Sequence, residues 1–386
     1  MPKRLLPAYP TRHKRQRGSA ILIILTIIGI GAAFLLVSAL NKASSQIGRD
    51  KVTSAALAQA KEALISFAAT SATLPGSLPC PDTNNDGSGD NTGTNCTAYI
   101  GRLPWKQLKL PDLRDGSGEC LWYALSPVFR NVLPAASRSP ASNSLNNTTA
   151  GQLTVSDTSG IPLPTPPNPV IAVIFSTGTS LPGQNRAAVG ATICGGNNTA
   201  ANYLDTAAGI SNATGGGTGT SFIAADASST FNDKLIYITA SQFFPSVNNR
   251  VVAEIRGLSQ PPTSGLRMFY NTPTNHYYPC AANAGSAGSQ VTTPTCLTSG
   301  LIPFSVLSFG SSTLTWLTNN NWFSLTSYAV APNFMSGTLY PQLCGAGGAG
   351  CLTVNSYVNS QAQVTVGGIS AIVCTINGMV TSCPYP

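Results

Sequence analysis

The sequence predicts an α+β fold, with a long N-terminal hydrophobic helix packed on a large disulfide-stapled head that ends in a β-rich C-terminal domain. Three observations predict it. Residues 19–40 carry no charge, and no proline interrupts the chain from there until Pro75. Ten cysteines, an even number, all lie beyond that stretch. The last 130 residues, 257–386, hold a single charged side chain, Arg267, while short apolar alternations recur between turn residues.

Residues 1–18 contain Lys3, Arg4, Arg12, Lys14, Arg15 and Arg17, no acidic residue, and end on Gly18. The uncharged run that follows, at about 1.5 Å per residue, is long enough for a hydrocarbon layer of roughly 30 Å. Clustered basic residues stay on the cytoplasmic side. The expectation is therefore a single-pass inner-membrane protein with its N-terminus in the cytoplasm and its head in the periplasm. A plain anchor and a cleaved secretory signal, with Val37-Ser38-Ala39 as its cleavage site, are the simpler alternatives. Past residue 40, apolar side chains at Val52, Ala56, Leu57, Ala60, Leu64, Ile65 and Phe67 keep a spacing of mostly three and four, one helical face. Pro75-Gly76 ends it. The predicted helix covers residues 19–72, its first half membrane-spanning and its second half amphipathic against the head.

The basic leader, Arg15-Gln16-Arg17-Gly18 and the apolar run behind it resemble the prepilin leader of type IV pilins and type II secretion pseudopilins. That resemblance implies a cut between Gly18 and Ser19 by prepilin peptidase, methylation of the new N-terminus, and a filament built with other pilin or pseudopilin subunits. Most members of the family carry Glu at the fifth mature position, where this chain has Ile23. An acidic group there serves packing within the fibre, so its absence points to a minor subunit at the tip or initiating assembly. The strings PGSLPCPD, GRLPW, LPDLRDGSGECLWYALS and FNDKLIYIT also look like a set of large prepilin-type proteins, which implies a family but no activity.

The formal charge of +8 is mostly topological, because the leader holds six of the 21 basic residues and none of the 13 acidic ones. Nothing in that balance argues for nucleic-acid binding. The cysteines at 80, 96, 120, 194, 280, 296, 344, 351, 374 and 383 read as disulfides in an oxidising compartment. Nearest-neighbour pairing would join Cys80 to Cys96, Cys120 to Cys194, Cys280 to Cys296, Cys344 to Cys351 and Cys374 to Cys383, although the sequence leaves connectivity open. No CxxC pair occurs, and His276 is the one histidine beyond the leader, which argues against zinc.

Residues 73–256 read as an α+β head domain. Residues 170–175 form a buried strand by their continuous apolar run, residues 186–193 a second candidate, and residues 233–239 a third. Ser241 is placed to cap a helix running through Arg256, with Pro245 holding its start nearby. Residues 161–169, rich in proline, form a stiff connector. Within residues 257–386, runs at 352–354, 363–366 and 371–373 read as strands. Their polar but uncharged composition suits either an adhesive surface or a surface covered by partner subunits.

The best ligand pattern is Asp82, Asn84, Asp86, Ser88 and Asp90, with Gly87 between them, which matches the first nine positions of a calcium loop. The twelfth position, usually a bidentate Glu, is Gly93. The competing reading is a polar turn closed by Cys80 and Cys96. Catalytic patterns are weak: a triad would rest on His276 alone, and Asp112, Asp115 and Glu119 suit a salt-bridge network around Arg114 as well as a glycosidase pair. Trp316, Trp322 and Phe323 suit a core better than a sugar platform. The reading is a minor pilin-like or pseudopilin-like structural subunit with no catalytic residues. An adhesin-like binding module on a pilin stalk is the alternative, and a membrane-anchored periplasmic hydrolase is a more distant one.

Overall fold

The computed structural model describes residues 19–164, 168–190, 193–257, 263–272, 278–292, 296–330, 338–339, 353–354, 361–376 and 379–382. After helix α1 (Ser19–Thr70) come strands β1 (Ile100–Arg102), β2 (Trp122–Leu125), β3 (Thr154–Ser156), β4 (Val170–Ser176), β5 (Ser221–Ile223) and β6 (Lys234–Thr239). Helices α2 (Ala240–Arg256) and α3 (Gly265–Asn271) follow, then β7 (Ser299–Leu301) and α4 (Ser311–Asn319). The chain closes with β8 (Thr326–Val330), β9 (Gln361–Val366), β10 (Ile369–Ile376) and β11 (Met379–Ser382). Two compact units divide it, residues 1–52 and residues 53–386.

The expected membrane-spanning hydrophobic helix, and with it a single-pass inner-membrane location, is corrected here. Among the described residues no helix is long and apolar enough to cross a membrane. Gln46, Arg49, Asp50 and Lys51 make the helix polar further on.

In the second unit, α1 buries Ala56, Leu57, Ala60, Leu64, Ile65 and Ala68, and Phe67 is half-buried; Val52, the last residue of the first unit, is exposed. The small residues at every third or fourth place let the helix lie close to the head. Lys61 fixes its height, donating from Nζ to the Tyr237 carbonyl (3.1 Å) and to Gln242 Oε1 (2.9 Å). The helix stops at Thr70, and Gly76, at φ 86°, returns its N–H to the Ala68 carbonyl (2.9 Å). A residue held at that positive φ favours glycine.

Four antiparallel strands in the order β6-β4-β2-β1 form the central sheet. Every residue of β4 is buried, which explains its continuous apolar run. Ile171 and Ile174 face the core shared with α1 and α2, and Val173 and Phe175 face a second core with Trp122, Tyr203 and Phe222. The candidate strand at residues 186–193 is not a strand in its described part. Helix α2 starts at Ala240, five residues before Pro245, with Thr239 as its N-cap in place of Ser241. A proline six places into a helix forfeits one hydrogen bond, and Phe243, Phe244, Val247, Val251 and Ile255 bury enough apolar surface to outweigh it.

An antiparallel sheet in the order β7-β8-β9-β10-β11 carries the C-terminal strands. Tyr328, Val330, Ala362, Val364 and Val366 bury one face of it in the same core as α1 and α2. The described residues of 73–256 and 257–386 therefore pack around one core. Trp316 Nε1 donates to the Pro75 carbonyl (3.1 Å) and Asn146 Nδ2 to the Asn320 carbonyl (2.8 Å), which ties the two stretches across the seam.

Candidate functional site

Cys80 is bridged to Cys96, Cys120 to Cys194 and Cys280 to Cys296, the nearest-neighbour partners. Cys344, Cys351 and Cys383 lie outside the described residues, as do the Cys374 side chain, Gly18, the Ser19 side chain and His276.

The first of these bridges closes the loop of the calcium pattern. Asp82 is buried and accepts the N–H groups of Asn84 (3.1 Å), Asn85 (2.5 Å) and Gly87 (2.7 Å). Asn84 Oδ1 accepts from Asp86 N–H (3.0 Å), and Asp86 Oδ1 from Ser88 N–H (2.7 Å). Asp90 caps the far end, with Oδ2 accepting the Thr83 N–H (2.7 Å) and Oδ1 the Asn84 amide (2.9 Å). The carboxylates thus satisfy the turn's own backbone donors, and burial raises the Asp82 pKa above the usual carboxylate value despite those N–H groups. Asp82, Asp86 and Asp90 do not converge as a set of ligand oxygens. As folded, the loop is a polar turn closed by the Cys80–Cys96 disulfide.

The one convergent group of metal-ligand types among the described residues is Asp112 with Cys120 and Cys194. Its two sulfurs are joined in a disulfide and offer no thiolate. The acidic cluster around it is spent on structure. Arg114 Nη2 bonds Asp112 at 2.7 Å, and Arg186 Nη1 lies 3.2 Å from Glu119 Oε1. Asp115 is buried, with one oxygen accepting Ser117 N–H (2.8 Å) and Glu119 N–H (3.1 Å), the other Ser176 Oγ (2.8 Å) and Gly178 N–H (3.0 Å). These bonds hold the loop to the end of β4, so its carboxylates are not arranged as an acid and a base flanking a bond.

Two features were not read from the sequence. Arg102 of β1 is fully buried, its guanidinium 4.6 Å from the Tyr203 ring and 5.0 Å from the Trp122 ring, with Arg186 over Tyr203 at 4.9 Å. Burial lowers the Arg102 pKa, and Tyr203, Glu119 and Asp82 act against it. Beside this stack lies a carboxyl pair. Asp233 Oδ2 accepts the Asp205 N–H (2.8 Å) and the Asn212 amide (3.0 Å), while Asp205 Oδ2 accepts the Asn232 N–H (2.7 Å). Burial, reinforced by the neighbouring Asp205, raises Asp233 to about 7. The only signal for it in the sequence is an acidic residue opening an apolar strand, in the string FNDKLIYIT.

Trp316, Trp322 and Phe323 are buried, as core residues. In residues 1–52 the described apolar side chains are bare: Ile24, Leu25, Ile27, Ile28, Ile30, Phe34, Leu35, Val37 and Leu40 are each more than half exposed. Comparison of the chain with family models, with curated proteins and with solved structures found no match.

Proposed function

We propose that this chain is a structural subunit of an extracytoplasmic, pilin-like assembly, in which the apolar surface of α1 packs against the same helix of neighbouring subunits. The carrying observation is that bare surface. Exposed apolar patches beyond a few hundred Å² mark interaction sites, and isoleucines at positions 24, 27, 28 and 30 cover more than one side of the helix. A surface apolar on several sides suits a bundle with several neighbours better than a single partner. The disulfides support an oxidising compartment. The prepilin-like junction supports maturation between Gly18 and Ser19, and Ile23 at the fifth mature position supports a minor subunit at the tip or initiating the fibre.

Two measurements test the reading. Sedimentation of the purified chain should show concentration-dependent association that an Ile27→Glu, Ile28→Glu double variant abolishes without moving the unfolding midpoint of the head. The native N-terminus, sequenced from cells with and without prepilin peptidase, should be Ser19 only when the peptidase is present. A monomer at all concentrations together with an uncut chain would sink the proposal.

A further inference from the structure

We propose that the segment from Asp205 to Ala213 is a pH-sensitive latch, closed over the outer edge of β5 while Asp233 is neutral and released when that carboxyl ionises. β5 is the outermost strand of its small sheet, beside β3. An outer strand presents unpaired backbone N–H and C=O groups along one side. Here a side chain takes the place of the missing strand. Asn212, fully buried, donates from Nδ2 to the Ile223 carbonyl (3.1 Å) and accepts the Ile223 N–H at Oδ1 (2.8 Å). One amide therefore covers both backbone groups of the last residue of β5.

Asn212 is held there from the start of β6. Its Nδ2 also donates to Asp233 Oδ2 (3.0 Å), and its own N–H donates to the Asp205 carbonyl (2.9 Å). Asp205 and Asp233 clasp each other. The Asp205 N–H donates to Asp233 Oδ2 (2.8 Å), while Asp205 Oδ2 accepts the N–H groups of Asn232 (2.7 Å) and Asp233 (3.3 Å). Gln184 Nε2 adds a bond to Asp205 Oδ1 (2.8 Å). Between these anchors, residues 206–211 are all half-buried or exposed. A segment with so little buried surface opens at a lower free energy than the core, and its hold on β5 rests on the polar bonds at Asp205, Asn212 and Asp233.

A proton decides how well those bonds hold. The Asp233 carboxyl is buried, and its Oδ1 has no hydrogen-bond partner among the described residues. Ionised, it is a buried charge with one oxygen facing no donor, beside a second buried carboxyl. Two charged groups act on it: Asp205 disfavours the ionised form, and Arg186 favours it. Arg186 is already engaged, lying 3.2 Å from Glu119 Oε1 and donating to the carbonyls of Thr177 (3.1 Å) and Gly178 (2.8 Å). Asp233 is accordingly raised to about 7, whereas a carboxyl exposed by release titrates near 4. The closed form therefore holds the proton more tightly. Closure is complete at low pH and is lost as pH rises through about 7. The latch lies wholly in the second compact unit, so it does not depend on the association of α1.

The test is native-state hydrogen exchange on the full chain with its disulfides intact, between pH 5.5 and 8.5 and corrected for the intrinsic exchange rate. The amides of Asp205, Asn212, Ile223 and Asn232 should lose protection about tenfold for each pH unit above about 7. At every pH they should be at least about tenfold less protected than the amides of β4, which open only with the core. Asp233→Asn keeps an acceptor for Asp205 and Asn212 but cannot ionise, and it should make the protection of these four amides independent of pH. If that variant fails to fold, Asp205→Asn decides the question. Without the Asp205 charge, Asp233 ionises more readily, and the loss of protection should begin at a lower pH. Three results would overturn the proposal: protection of the four amides that does not change with pH in the native chain, protection equal to that of β4 throughout, which would mean that the whole fold opens instead, or a pH dependence that both variants leave unchanged.

Discussion

Asp233 opens β6 with one carboxyl oxygen bonded to the Asp205 N–H and the Asn212 amide, and the other buried without a hydrogen-bond partner. Burial first, and the Asp205 charge second, raise it to about 7. Burial also raises Asp205 and Asp82. An unfolded Asp titrates near 4, so the folded chain holds these protons more tightly than the unfolded chain does. Their stabilising contribution is complete below about pH 4 and is lost as pH rises, for Asp233 through about 7. Thermal melts between pH 4.5 and 8 should therefore show a midpoint that falls with rising pH. Asp233→Asn, which keeps the two accepted bonds and removes the titration, should flatten that slope, and an unchanged slope would place the proton elsewhere. Asp115 is a buried side chain that accepts from four donors. Asp115→Ala strands those donors at about 1–3 kcal/mol for each group left buried and unpaired, and loss of several kcal/mol in urea unfolding is the expected result.

At the scale of elements, α1 shows how much of a helix its own sequence determines. The three-and-four spacing from Ala56 to Ile65 marks the face that the structure buries, and Ala68 continues it. Leu64 is fully buried, so Leu64→Ala should cost about 2–5 kcal/mol in chemical denaturation, whereas Val52→Ala, on the exposed side, should cost little. The start of α2 was less legible. Proline at 245 reads as a boundary because it lacks a donor, yet the helix begins at Ala240. Thr239 and Gln242 supply the start instead, with the Thr239 N–H donating to Gln242 Oε1 (3.2 Å), and apolar burial by Phe243 and Phe244 overrides the local rule. The loop at residues 82–90 was legible as a turn with oxygen ligands at alternate places. Which donors those oxygens meet is a matter of backbone conformation, and here they meet the turn's own N–H groups.

At the scale of the molecule, one core joins the buried stretch of α1, the central sheet, α2 and the C-terminal sheet. Among the described residues, three disulfides pin loops around it, with sequence separations of 16, 74 and 16 residues. A closed loop of that shorter length restrains the unfolded chain by about 3 kcal/mol in the chain-entropy account. Reduction should therefore lower the melting midpoint by many degrees, measured by calorimetry with and without reductant. A midpoint unmoved by full reduction would mean that the core alone sustains the fold. By itself the sequence determined what local chemistry controls: the periodic face of α1, the continuously apolar β4, the strands among the last residues and the places where turns fall. These follow from side-chain spacing and backbone preference, which act over a few residues. Only the tertiary structure decided that residues 73–256 and 257–386 share one core, that Arg102 stacks on Tyr203, and that Asp205 and Asp233 meet. Those contacts join residues far apart in the chain, and burial, which sets their energies, is a property of the packed whole.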